Sequence, residues 1–359
     1  LYTSTFVDSK KHGLSYEWSD PVNMGEGING QGRWDAQPSL SADGNTLYYT
    51  INGPKTKNND IYVTERNDDG TWAESHAFDE INTAGKDKSP FLHQDSETLY
   101  FVSECSKDRP GIGGLDIFYI RQVNGKWAEP KNIGYPINTQ DDELGLFVSI
   151  DGEIAYYSSH VGGKWNIYSF PLYEEARPQA VTILKGDLTD DDGEPIGDAV
   201  IELVYEGSDE VTEVKVNGDD GKFAVIVKRD VPGDVLITLK KEDHAFDAVV
   251  VTNEEIKSNT TVREKNLKVR ELNIGSSYTL DDILYATASS AMTGNSKFIL
   301  KGFAHYLKMN PALTVLIQGH TDDEGDNARN LKLSDDRAKG VMNYLIALGV
   351  DTGQLKAKG

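Results

Sequence analysis

Residues 314–340 read TVLIQGHTDDEGDNARNLKLSDDRAKG, an alternating apolar run that breaks at a glycine and a histidine before a polar stretch. Leu313, Val315 and Ile317 alternate inward as a half-buried strand does. Ser334 is expected to cap a following helix, with Asp335 and Asp336 in its first turn. Ala338, Val341, Met342, Leu345 and Leu348 then share one face, and Gly349 ends it. Upstream, NSKFILKGFAHYLKMNP places Phe298, Ile299, Phe303, Tyr306 and Leu307 on one helical face before Pro311 forbids continuation. Helix, strand, helix, with a strand expected at each end, makes this region an α/β sandwich.

The turn at Gly319–Asp322 admits several chemistries. A metal site needs three or more convergent donors at set spacing. The chain has 7 histidines, none recurring near His320 in a ligand pattern, and its single Cys105 lies in another region. We therefore expect no metal and no cofactor. Neither Ser334 nor Thr321 sits in a nucleophile-elbow context. Adjacent acids such as Asp322 and Asp323 point in opposite directions on an extended chain, so they do not flank one glycosidic bond. Ligand capture remains. Asp322 stands just past a strand, and Arg337 is expected in the first turn of a helix 15 residues on. A carboxylate facing a guanidinium suits a zwitterion, the acid taking an ammonium and the arginine forking onto a carboxylate. Helix amides near Asp335 and Asp336 would add anion affinity. The same two residues could equally form a salt bridge that staples loop to helix, and on the residues alone both readings stand.

The stretch LTVLIQGHTDDEGDNARNLKLSDDRAKGVMNYLIALGV resembles the OmpA-like peptidoglycan-binding domain. The match runs through Gly319, His320, Thr321, Asp322, Gly325, Asn330, Leu333, Ser334, Arg337 and Ala338 with the family's internal spacing. The resemblance implies that Asp322 and Arg337 grip the free amino-acid end of diaminopimelate in the peptide stem. It implies that Thr321 and Asn330 shape the pocket and that His320 is a turn and packing residue. Two departures stand out. LYATASSAM carries Tyr285 for the family's aromatic, with Ala286 near the place of its acid. The sequence also closes at LKAKG, read here as following directly on a helix, before the family's last strand and further arginines.

The first half of the chain repeats. QPSLSADGNTLYYT (from Gln37) returns as SPFLHQDSETLYFVS (from Ser89) and as LGLFVSIDGEIAYYSS (from Leu144), with Trp18, Trp72 and Trp127 recurring between copies. Asp43, Asp95 and Asp151 sit between the first two strands of each copy, the pattern of small antiparallel sheets with tight hairpins. Such sheets bury both faces only by stacking. The repeats resemble PD40-type, WD40-like β-propeller blades, best at residues 37–62, and LYTSTFV at the start looks like the tail of another unit. Asp60 and Asp116, with Asn166 in the third copy, are read as fixing turns and not as ligands. The recurring Trp and Tyr are read as packing between blades, not as a sugar platform.

Past YEEARPQA the repeat stops. VTILKGDLTDDDGEPIGDAVIELVYEG and the segment after it alternate at Ala199, Ile201, Leu203 and at Phe223, Val225, Val227, which predicts a small β-sandwich. It resembles the carboxypeptidase regulatory-like domain through Gly186, Asp190, Gly193, Pro195, Ile196, Ala199 and Gly221 to Phe223. Such modules carry no peptidase site. Asp190, Asp191 and Asp192 are read as a solvated acidic hairpin, since no calcium-ligand spacing continues the motif.

The expected organisation is multidomain. Residues 1–177 form part of an all-β propeller with four-stranded antiparallel blades, 178–268 the β-sandwich, and 269–359 the α/β OmpA-like domain. A net charge of −22 argues against a nucleic-acid partner, though not against a local basic contact. No run of apolar residues is long enough to span a membrane as a helix. A leader or N-terminal lipid anchor, and further blades, are expected to lie outside the sequence, so membrane association would come only from such an anchor or from partners. In order, these modules resemble Bacteroidota envelope proteins such as the PorE-like component of the type IX secretion system. That implies a non-enzymatic periplasmic anchor at the outer membrane, with peptidoglycan as one partner and secretion or gliding machinery as the other. The alternatives are a propeller-based hydrolase or a ligand sensor held at the wall.

Overall fold

The computed structural model describes residues 1–4, 6–7, 17–67, 70–208, 210–216, 221–258, 261–280, 283–285, 289–321 and 326–359. The chain divides into two compact units, Leu1–Thr182 with Ile226–Asp230, and Ile183–Val225 with Val231–Gly359.

In the first unit each repeat is an antiparallel sheet, but the sheets differ in width. Trp34–Leu40, Thr46–Asn52, Asn59–Glu65 and His76–Ala77 make four strands. The second sheet is built on Asp87–Leu92, Thr98–Glu104 and Leu115–Val123, and both Lys126–Trp127 and Lys131–Asn132 pair its outer strand, giving five. Glu143–Val148, Ile154–Val161 and Lys164–Pro171 make only three. The expectation of uniform four-stranded blades is therefore corrected. The third sheet has no partner for its last strand among the described residues, and the second breaks its fourth strand at Ala128–Pro130, between Lys126–Trp127 and Lys131–Asn132.

The sheets stack face to face in chain order. Tyr48, Ile61, Val63 and Phe78 of the first pack on Leu99, Phe101, Phe118 and Ile120 of the second. Tyr100, Ile117 and Tyr119 pack in turn on Leu146, Val148 and Ala155 of the third. Each first strand kinks at a bulge with positive φ at equivalent positions, Gln37, Ser89 and Gly145 (54°, 53° and 56°). The kinks bring neighbouring first strands together: Leu92 N donates to Ser39 Oγ at 2.8 Å, and Ser89 N to the Gln37 side-chain oxygen at 3.1 Å.

Two of the hairpin aspartates are spent on their own turns. Asp43 Oδ1 accepts from the Ser41 hydroxyl and Asn45 N, and Asp151 does the same with Ser149 and Glu153. Asp60 accepts from the amides of Lys57 and Asn58, and Asp116 from Ile112 N and the Asn132 side chain. Both do the turn-fixing expected of them. The tryptophans behave unequally. Trp127 packs in the core between the first two sheets, and Trp72 lies under the Arg66 guanidinium, whereas Trp18 is 68% exposed.

One recurring element escaped the sequence reading. Asn82 clamps Ile61 N and O at 2.8 Å each, and Asn138 clamps Ile117 N and O at 2.9 Å each. The carboxamide thus acts as an extra strand residue for a buried isoleucine. Asn29 holds Leu1 in the same way.

In the second unit, Val211–Val216, Ala199–Tyr205, Val235–Lys240 and Ala248–Val251 form an antiparallel sheet. Its companion joins Lys222–Lys228, Val181–Thr189 and Thr261–Val262, with Leu267–Lys268 also pairing the central strand. The alternating sets Ala199, Ile201, Leu203 and Phe223, Val225, Val227 are all buried between them. A short helix, α1 (Asn253–Ser258), links two strands. Asp190 accepts from Asp192 N and Glu194 N, closing the acidic hairpin on itself.

Helix α2 (Gly294–Met309) serves two cores at once. Phe298 and Ile299 meet Leu236 and Phe246 of the sandwich. Leu300, Ala304 and Leu307 meet the second long helix, α3 (Asn327–Ala347), through Val341 and Leu345. This is why its sequence is apolar on more than one face. Asn310 caps it, and the buried Gln354 amide donates to the carbonyls of Leu307, Asn310 and Leu313 at 3.0–3.1 Å.

Candidate functional site

The site grows out of a strand end crossed by a helix. Val315–Gln318 pairs in parallel with Leu355–Lys358, from Val315↔Leu355 to Gln318↔Lys358. The closing LKAK is thus a strand, as expected at the end of this region, and it does not follow directly on α3: a 3-10 turn capped by Asp351 separates the two. On the other side of α2, among the described residues, the expected first strand is reduced to a bridge between Tyr285 and Met292.

Helix α3 lies across both strands at very close range. A Cβ on Gly319 would stand 2.2 Å from Ser334 O, and one on Gly359 2.2 Å from Asp335 N. Small residues on the helix answer the glycines: Ser334 and Ala338 are 5% and 1% exposed. Ser334 is therefore not the helix cap. Its hydroxyl folds back to Leu331 O at 2.9 Å inside the helix. The cap is Asp326, whose carboxylate accepts from Arg329 N at 2.9 Å. Two consequences correct the sequence reading. Arg337 lies in the third turn of α3 and not the first. Asp335 and Asp336 lie mid-helix, where the amides are already bonded, so no helix terminus adds anion affinity beside them.

The close crossing delivers Arg337 to the strand end. Its Nη1 donates to His320 O and its Nε to Ser289 O, both at 3.2 Å. The guanidinium carbon sits 4.7 Å from the centre of the Tyr285 ring, a cation–π contact. Burial pushes the Tyr285 phenol pKa up, and the Arg337 charge opposes that rise. Nη2 has no hydrogen-bond partner among the described residues. A half-buried guanidinium, oriented by two carbonyls and a ring with one edge unspent, is equipped to fork onto a carboxylate.

Of the other expected site residues, Thr321 follows His320 at the same corner and is half-buried. Asn330 lies on the same face of α3 as Ser334 and Arg337, two turns or about 10.5 Å along the axis from the arginine. Asp322 and Gly325 lie outside the described residues, as does Ala286. His320 is exposed and contributes its backbone oxygen to Arg337. The reading from sequence missed Tyr285 and Ser289 as the supports of Arg337. They lie 52 and 48 residues away in the chain, and nothing in the local pattern links them.

Residues 284–359 match the OmpA family. The peptidoglycan-associated lipoprotein of Haemophilus influenzae is 42% identical over 64 residues, 18% of this chain and 42% of that protein. That of Legionella pneumophila is 36% identical over 87 residues, 23% and 49% of the two. Outer membrane porin F of Pseudomonas aeruginosa is 34% identical over 79 residues, 22% and 23%. The chain therefore spans less than half of each of these relatives. Among solved structures, the peptidoglycan-associated lipoprotein of Burkholderia pseudomallei is 34% identical, with a TM-score of 0.21 over 21% of this chain and 64% of that one. A TolB from Agrobacterium tumefaciens is 17% identical, with a TM-score of 0.29 over 64% and 70%. The C-terminal α/β region is an OmpA-family domain, joined to a larger, mostly β remainder.

Proposed function

We propose that this protein is a non-enzymatic envelope anchor that holds peptidoglycan through residues 284–359, by the free amino-acid end of diaminopimelate in the stem peptide. The observation that carries the reading is Arg337: it lies within the OmpA-family match, and the strand end and Tyr285 hold it while its Nη2 has no hydrogen-bond partner among the described residues. Asp322 is assigned to the ammonium of the ligand, and Thr321 and Asn330 to the pocket wall. Relatives named peptidoglycan-associated lipoproteins support the ligand and a periplasmic location beside the outer membrane.

Residues 1–177 are proposed as blades of a β-propeller, 178–268 as a regulatory-like sandwich and 269–359 as the wall-binding domain. The outer face of the third sheet supports the propeller. Tyr156 and Ile167 there are 45% and 80% exposed, yet their equivalents Tyr48 and Tyr100, Ile61 and Ile117 are buried against the next sheet. A further blade fits that face. The propeller is assigned the protein partner, with type IX secretion or gliding machinery proposed from the order of the modules.

Co-sedimentation with purified peptidoglycan tests the anchor. Wild type is expected in the pellet, while Arg337→Ala and Asp322→Ala stay in the supernatant with unchanged circular-dichroism melts. Folded variants that pellet like wild type overturn the assignment.

A further inference from the structure

In the first two sheets of the first unit the third strand is covered along its outer edge. Asn59–Glu65 is paired by His76–Ala77, and Leu115–Val123 by Lys126–Trp127 and Lys131–Asn132. The Asn82 and Asn138 clamps then bond the Ile61 and Ile117 backbones. Each of those carbonyls accepts a second bond, from Phe78 N at 2.9 Å and from Ile133 N at 3.0 Å. Ile167 is the matching residue of the third sheet. Its strand, Lys164–Pro171, pairs Ile154–Val161 through the two-residue Gly162–Gly163 hairpin, which turns the Ile167 amide and carbonyl away from that partner. Among the described residues neither group is hydrogen-bonded.

This edge lacks the charges that shield solvent-facing strands. Every residue from Lys164 to Ser169 is exposed, and between Lys164 and Pro171 the strand carries no charge. Such an edge is a template for another strand. Its own chain does not return to it. Beyond Pro171, Leu172 and Ala176 are buried in the core shared with the second sheet, and the Tyr100 hydroxyl donates to Ala176 O. The other two copies show what covers the position. Asn82 and Asn138 stand five residues before Asp87 and Glu143, the first residues of the next sheet. That next sheet packs on the face of the one just clamped, through Leu92 and Leu146. Clamp and following sheet therefore arrive on one segment.

We propose that the edge at Lys164–Pro171 is a docking site for one antiparallel strand, the lead-in of the further blade assigned to the third sheet, and that an asparagine in that lead-in bonds the Ile167 amide and carbonyl. This site rests on the propeller reading of the repeats and adds to it the segment that joins one sheet to the next. The lead-in is an outer-strand element of the repeat's own type. It runs as a short strand and then a turn that ends in isoleucine and asparagine, as TWAESHAFDEIN (71–82) and KWAEPKNIGYPIN (126–138) do.

The test adds the peptide KWAEPKNIGYPINTQ (residues 126–140) to the full chain and follows amide hydrogen exchange by mass spectrometry. Millimolar peptide is expected to slow exchange at 164–171 several-fold and to leave 115–123 unchanged. The same peptide with Asn138→Ala should bind roughly tenfold more weakly, because two hydrogen bonds to the Ile167 backbone are lost. Ile167→Glu in the chain should keep peptide affinity within about twofold, since that side chain stands on the sheet face and not at its edge. No slowing at millimolar peptide, equal binding of the Asn138→Ala peptide, or protection that maps to 115–123 each overturns the site. Exchange at 164–171 that slows as the chain alone is concentrated makes the occupant a second copy and overturns it too. The further blade is judged elsewhere, by burial of the Phe147 and Tyr156 face, so a peptide that fails removes the edge site and leaves the blade standing.

Discussion

Gly319 is where the fold and the candidate site depend on one atom. A Cβ there would lie 2.2 Å from Ser334 O, 3.1 Å from Ser334 C and 3.2 Å from Ala338 N, all backbone of α3. Ordinary contact begins near 3.4 Å, so Gly319→Ala must push strand and helix apart by about 1 Å. Overpacking of this kind costs about 1–3 kcal/mol. The entropy that alanine removes from the unfolded chain returns about 0.4–1 kcal/mol. The net loss of about 1–2 kcal/mol corresponds to a fall in Tm of roughly 2–8 °C for a unit of this size. The same displacement draws His320 O away from Arg337 Nη1, so peptidoglycan binding should weaken with stability. Gly340→Ala is the control. On the same helix, its nearest neighbour would be Ser290 O at 3.9 Å, and alanine there should gain about 0.5–1 kcal/mol from helix propensity. Thermal melts and co-sedimentation of the two variants decide the matter. If Gly319→Ala melts at or above the wild-type temperature, the close crossing of strand and helix is not what positions Arg337.

Other perturbations probe the remaining links. Asn138→Ala strips two partners from the buried Ile117 backbone, and at about 1–3 kcal/mol per orphaned group it should cost more than Asn29→Ala, whose site is half-exposed; urea unfolding measures both. Tyr285→Leu should weaken peptidoglycan binding roughly threefold to thirtyfold, while Tyr285→Phe keeps the ring under Arg337 and most of the affinity. The Ser149 hydroxyl and the Glu153 amide hold the Asp151 carboxyl below its ordinary value of 3.8. Its contribution to stability is therefore complete above that pH and fades as the pH falls through the depressed value. The Tm gap between wild type and Asp151→Asn should narrow along the same path.

Much of this architecture was written in local periodicity. The alternating sets of the sandwich, the three hairpin repeats and the apolar face of α3 were all legible, because burial on one side leaves a period of 2 or 3.6 in the residues. What failed to show depended on long-range approach. Ser334 looked like a cap because NARNLKL before it is polar and largely exposed, so the amphipathic pattern seems to begin late. The helix in fact starts at Asn327, and Ser334 is small because Gly319 and Gly359 press on it. The Ile–Asn clamp hid for a similar reason: a carboxamide bonding a backbone 21 residues earlier leaves no period. At the candidate site the motif named Arg337, but only the fold shows what turns it, since Tyr285 and Ser289 come from the far side of α2.

The most direct test of the central claim compares two soluble stem peptides by calorimetry. One carries diaminopimelate, and the other carries lysine in its place, which keeps the amine and lacks the carboxylate assigned to Arg337. The account predicts binding of the first alone, and loss of that binding in Arg337→Ala. Equal affinity for the two peptides would contradict it.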